Sequence, residues 1–170
     1  MTGRSGPLAH LVEHLTLNQV VAGSSPAWPT YLMKNYELLE HTADIGIRVK
    51  GDDLKGLFRN AALAMFEIIA EEKKPVARKI EKIKIKQRAD DIDELFVNWL
   101  NELLSLSAAK ELIFSDFKID KLDKNNLQAT LIGTNIKNYK VNTEIKAATY
   151  HELKIKHGES GWQAEVIFDV

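Results

Sequence analysis

The sequence predicts an α+β domain in which a largely antiparallel sheet is packed by two helices. Three observations carry that prediction. Two stretches, Leu54 to Ile69 and Leu95 to Leu104, place apolar residues at helical spacing. Elsewhere apolar and polar residues alternate, the period of a half-buried strand. The order is strands, helix, strand, helix, and then a run of strands.

The elements follow in chain order. Tyr36 to Leu39 reads as extended, and Ile45, Ile47 and Val49 alternate with Gly46, Arg48 and Lys50 in a second strand. Gly51-Asp52-Asp53 breaks that strand and offers a helix cap. Leu54, Leu57, Phe58, Ala61, Ala62, Met65, Ile68 and Ile69 then form an amphipathic stripe that faces a core. Lys79 to Gln87 places Ile80, Ile83 and Ile85 among lysines, with one slip between Glu81 and Lys82. It reads as a strand with a lysine-rich outer face. A charge-guarded edge explains that face, and so does a contact to a phosphate backbone. The lack of interleaved aromatic residues favours the first.

Asp91-Ile92-Asp93-Glu94 opens the second helix as a capping-box-like start, and Leu95, Phe96, Trp99, Leu100, Leu103 and Leu104 are its buried stripe. Ile113 to Leu122, Leu127 to Ile132, Glu144 to Ile155 and Trp162 to Val170 are the later strands. Asp123 to Asn126 and His157 to Gly161 read as hairpin connections.

Residues 1–32 differ from the rest. They hold only Arg4 and Glu13 as acidic or basic charges, yet three of the four prolines. Leu8, Leu11, Val12 and Leu15 have helical spacing, while polar residues interrupt what a signal peptide would need to be apolar. Val21 to Ala27 can be encoded by GTT GCG GGT TCG AGT CCC GCA, which contains the stem, loop and stem of a transfer-RNA T-arm. The expectation is a non-native or disordered extension over 1–32, with translation starting at Met33 and one domain over 33–170.

Composition limits the chemistry. With 170 residues, 45% of them hydrophobic, the chain can bury a core. Lys plus Arg number 23 and Asp plus Glu 24, so no broad basic face is forced. The absence of cysteine excludes disulfides, thiolate zinc sites, iron–sulfur clusters and a cysteine nucleophile. No apolar run approaches the roughly 20 residues of a membrane span, and the expected location is the cytoplasm. There is no phosphate-binding glycine loop, dinucleotide fingerprint or nucleophile elbow. His41, His151 and His157 have no zinc-motif spacing.

Two carboxylates stand out by context. Asp44 lies at the mouth of an apolar strand, and Asp169 lies inside Val166-Ile167-Phe168-Asp169-Val170. Aspartate is disfavoured in strands, and an ionised one there needs a partner. A hard cation such as Ca²⁺ or Mg²⁺ would suit, with a main-chain or terminal oxygen of Val170 as a third donor. Pairing with Lys or Arg, or exposure at a strand end, would also suffice.

The motifs carry a resemblance. Tyr36-Glu37-Leu38-Leu39-Glu40-His41-Thr42-Ala43-Asp44-Ile45-Gly46 resembles the N-terminal signature of the archease family. Leu57 to Met65 and Leu95 to Leu104 resemble its two helices, Ile145 to His151 its late strand, and Val166 to Val170 its ending. Five ordered motifs cover Asn35 to Val170. The closing Val, where Ile is common, and the Asp91 to Glu94 run are small departures from the pattern.

The resemblance implies a protein cofactor of the GTP-dependent tRNA-splicing RNA ligase, not a ligase itself. Such a cofactor promotes guanylylation of the ligase histidine and repeated turnover, and meets tRNA only indirectly. It implies a divalent metal ion, usually calcium, held by Asp44, Asp169 and the oxygen of Val170; Mg²⁺ and Mn²⁺ stay open. Lys146 and His151 are contacts to partner or phosphate, or else sheet-surface residues. A chaperone-like module acting independently of the metal would ignore Asp44 and Asp169. A small metal-dependent hydrolase would turn over without a partner, and it lacks a general base beside the carboxylates.

Overall fold

The computed structural model describes residues 36–39, 44–73 and 78–170. The expected extension over 1–32, the Met33 start, and His41, Thr42 and Ala43 of the first motif lie outside the described residues. In chain order the elements are strands β1 (Tyr36–Leu39) and β2 (Ile45–Gly51), helix α1 (Leu54–Ile69), strands β3 (Ala70–Glu72) and β4 (Glu81–Arg88), and helix α2 (Ile92–Lys110). Strands β5 (Leu112–Leu122), β6 (Asn126–Asn135), β7 (Tyr139–Val141), β8 (Ala147–Gly158) and β9 (Gly161–Asp169) follow. The class is α+β, and every described strand pairing is antiparallel.

The strands divide into three sheets, ordered β1-β2-β9-β8, β4-β6-β5 and β3-β7. Both helices touch strands of both larger sheets: α1 meets β2 and β5, while α2 meets β8, β4 and β5. The helices therefore fill the space between sheets, and one continuous core results. Leu57, Phe58, Ala61, Ala62 and Met65 of α1 are fully buried, as are Leu95, Phe96, Trp99, Leu100 and Leu103 of α2. Phe58 meets Phe96 edge-on at 5.0 Å between ring centroids. The buried Trp99 indole N–H donates to the Phe58 carbonyl at 3.0 Å, so its polar atom is satisfied inside the core.

Local chemistry sets the boundaries. Asp53 caps α1 by accepting from the Gly56 N–H at 2.6 Å. Asp91 caps α2 by accepting from the Glu94 N–H at 2.8 Å. The Glu94 carboxylate reaches back to the Asp90 N–H at 2.7 Å, one residue before the position a capping box uses. Gly51 has no room for a side chain, since a Cβ there would lie 2.2 Å from the Leu57 nitrogen. Gly161 takes φ +97 at the β8–β9 turn, against the backbone of Gly51.

One expectation is corrected, and one element is new. The strand placed over Lys79 to Gln87 begins at Glu81, and Ile80 lies before it, 61% exposed, not on the apolar face. The slip seen in the sequence is that strand boundary. The short ribbon β3–β7 had no sequence signal: three residues per strand are too few for a period to register.

Candidate functional site

Asp44 immediately precedes β2 and is half-buried; Asp169 closes β9 and is exposed. The β2–β9 ladder ends at the pair Ile45 and Phe168. Asp44 and Asp169 are the next residues on each strand, so the register brings them to the same end of the sheet. Beneath them Ile45 and Phe168 are buried, which lowers the local dielectric on one side.

Strand β8 completes the corner. Ala147 pairs with Asp169, and the Lys146 N–H donates to the Asp169 carbonyl at 2.9 Å. The Lys146 ammonium donates to the Val170 main-chain oxygen at 3.0 Å. Thus Asp44, Asp169, Val170 and Lys146, four of the five residues singled out from the sequence, meet at one corner. The donor set there is two carboxylates and a main-chain oxygen. Such all-oxygen donors fit a hard divalent cation, and no thiolate is present to favour a soft one. Among the described residues, no group of three or more His, Cys, Asp or Glu is arranged to hold a metal. Any ion at the corner would need the Val170 oxygen, which Lys146 already engages.

The structure does not bring His151 to this corner. It lies on an irregular stretch of β8, where the register with β9 breaks between Thr149 and Lys154 and Glu152 takes φ 53. Its Nε2 is 4.0 Å from the Glu152 carboxylate, and it is exposed. Tyr150 beside it is 56% exposed. Desolvation first, and then the carboxylates of Glu94, Asp91 and Asp93, push the Tyr150 phenol up. The acidic start of α2 therefore faces this bulge. His157 packs against Trp162 at 4.9 Å between rings, a structural contact.

Sequence reasoning passed over Asn101. Its side-chain N–H₂ donates to the Ala148 carbonyl at 3.0 Å, and its oxygen accepts from the Ala148 N–H at 2.8 Å. This pair of hydrogen bonds ties the start of β8, and with it Lys146 and Ala147, to α2. The only signal in the sequence was a carboxamide beside the apolar stripe of Trp99, Leu100 and Leu103. A shallow hollow of about 420 Å³ lies between α1 and β5, lined by Lys55, Arg59, Asp116 and Lys118 among others. None of the residues singled out from the sequence lines it, and its Arg59 and Asp116 pair with each other at 2.7 Å.

Fold and corner together define a small antiparallel α+β protein whose polar groups gather at a sheet end, not in a deep cleft. Residues 36–170 match the Archease protein family (MTH1598/TM1083). The archease of Methanosarcina barkeri is 38% identical over 143 residues, covering 81% of this chain and 97% of that protein. The solution structure of Methanobacterium thermoautotrophicum protein 1598 superposes with a TM-score of 0.65 at 34% identity, over 81% of this chain and all of that one. The crystal structure of an archease from Thermotoga maritima, described as a possible chaperone, gives a TM-score of 0.56 at 25% identity, over 78% of this chain and 94% of that one. The chain belongs to the archease family. Among the described residues, no helix is long and apolar enough to cross a membrane.

Proposed function

We propose that this chain is a metal-binding accessory protein that activates the GTP-dependent tRNA-splicing RNA ligase, promoting its guanylylation and repeated turnover. The observation that carries the reading is the convergence of Asp44, Asp169 and the Val170 oxygen at one sheet corner, in a chain of the archease family. Asp44 and Asp169, with the Val170 oxygen, would hold a divalent ion, calcium first, which supplies charge stabilisation to phosphoryl chemistry on the partner.

The chain's own residues do the rest. Lys146 fixes the terminal residue through the Val170 oxygen, and Asn101 fixes the strand that carries Lys146. The exposed Asp169 turns the corner outward, toward a protein partner. Among the described residues, no nucleophile or general base accompanies the carboxylates, and in this reading bond making and breaking belong to the ligase while the chain is not itself an enzyme. The cytoplasm is the location this reading matches.

The test is GTP-dependent guanylylation of the cognate ligase at limiting Mg²⁺ or Mn²⁺, with wild type and Asp44→Ala. Stimulation by the wild type and not by the variant is expected. Full stimulation by Asp44→Ala would remove the metal corner from the account. The description of the Thermotoga maritima relative as a possible chaperone favours a second reading, an interaction module for nucleic-acid-modifying proteins. That module would act equally well without Asp44 and Asp169.

A further inference from the structure

Lys82, Lys84, Lys86 and Arg88 form a single row on the outer face of β4. Ile83 and Ile85 between them turn inward against the core. All four cationic side chains are exposed, and none makes an ion pair or hydrogen bond among the described residues. On the neighbouring strand of the same sheet the cations are matched: Lys118 with Asp120 at 3.4 Å and Lys121 with Asp123 at 3.8 Å. A chain with 23 cationic and 24 acidic side chains has left this row without counter-charges. At the rise of a strand the row runs about 20 Å.

The next strand matters as much. Opposite Lys84, Lys86 and Arg88 on β6 stand Thr130, Gln128 and Asn126, neutral groups that hydrogen-bond; Ile132 stands opposite Lys82. Protein interfaces are poor in lysine and centre on aromatic, Met or Arg anchors, none of which these β6 positions supply. Ammonium groups in line beside neutral polar groups suit a chain of phosphates instead.

We propose that this row is a docking surface for the phosphate backbone of RNA. The choice of RNA among polyanions rests on the function proposed above; the row itself stands apart from the metal corner. With no aromatic residue on β4 to stack a base, binding is independent of base sequence and steeply salt-dependent.

The experiment is fluorescence anisotropy of the full chain with a labelled, unstructured RNA of about 20 nucleotides, long enough to span the row. Dissociation constants of roughly 10⁻⁴ to 10⁻⁶ M are expected, the range of non-specific binding. Four phosphate contacts on a single strand give a log–log salt slope of about −2.8, or about a 50-fold loss between 50 and 200 mM salt. Lys82→Gln/Lys84→Gln/Lys86→Gln should flatten the slope to about −0.7. Lys118→Gln/Lys121→Gln, on the same sheet but paired, should leave it alone. Circular dichroism checks that each variant keeps its fold, and a single Lys84→Gln variant with an intermediate slope covers loss of the triple variant. Absent or salt-insensitive RNA binding, or an unaffected triple variant, overturns the proposal. So does competition by polyglutamate as strong as by RNA, which would assign the row to an acidic protein. Asp44→Ala should bind RNA normally, so failure of the metal corner and failure of this row are read separately.

Discussion

Asn101 does for Ala148 what a neighbouring strand would do. One carboxamide supplies a donor and an acceptor to a single backbone residue. Asn101→Ala leaves a half-buried N–H and C=O unpaired, at a cost of about 2 kcal/mol from two bonds of about 1 kcal/mol each. Urea unfolding should show that loss; an unchanged midpoint would mean that water replaces the amide without penalty. Isothermal titration with Ca²⁺ should also weaken, because Lys146 and Ala147 lose their anchor. At the corner itself, Asp169→Asn keeps shape and hydrogen bonding but removes one charge. Under the proposed metal corner, calcium binding should fall by at least about tenfold, roughly 1.4 kcal/mol, with thermal stability little changed.

The close approach of the α1 start, the end of β2 and the β8–β9 turn is decided by glycines. A Cβ at Gly51 would sit 2.2 Å from a backbone nitrogen of α1, and one at Gly161 would sit 2.7 Å from the Gly51 oxygen. Neither neighbour is a flexible side chain, so a side chain at Gly51 forces α1 to move and one at Gly161 forces the Gly51–Asp52 backbone to move. Gly51→Ala should cost about 3 kcal/mol, the upper range for overpacking, and lower the melting temperature by roughly 6–12 °C. A melt within about 2 °C of wild type would show that α1 can shift freely. Helix α2 was readable to within a residue or so because Asp91, the Leu95 to Leu104 stripe and Lys110 agree. Its end was not: Glu111 takes the left-handed conformation usually given to glycine, and its carbonyl is satisfied by the Ile136 N–H at 2.8 Å. That partner comes from a distant segment, so no local signal announces it.

At the scale of the molecule, one row of charges crosses all four strands of the larger sheet. Glu37, Arg48, Glu165 and Lys154 are consecutive cross-strand partners. Arg48 meets both Glu37 and Glu165, and Lys154 meets Glu165. The Arg48 guanidinium first, then Lys154, hold the Glu165 carboxyl below its ordinary 4.5, against a desolvation that raises it. A carboxylate whose folded value is depressed binds its proton more weakly in the native state. Its stabilisation is present above the unfolded value near 4.5 and is lost as pH falls through the folded one. Asp123, lowered first by the Asn126 side chain, acts in the same sense, whereas desolvation raises Asp93 and acts against it. Chemical unfolding of Glu165→Gln between pH 3 and pH 7 should therefore show a shallower acid loss than wild type. Parallel curves would remove the ladder as a source of pH dependence.

The sequence by itself determined the class, both helices, the alternation of the strands and the two aspartates, because each rests on local periodicity or on one residue out of place in its surroundings. It also carried the family, through motifs spread from Tyr36 to Val170. Only the tertiary structure decided that the strands split into separate sheets with the helices between them, since which strands share hydrogen bonds depends on contacts far apart in the chain. It alone decided that Asp44 and Asp169, 125 positions apart by subtraction of their numbers, end adjacent strands, while His151, close to Lys146 in sequence, lies away on a bulge. Register is a pairwise property of two strands, and no single strand's pattern contains it.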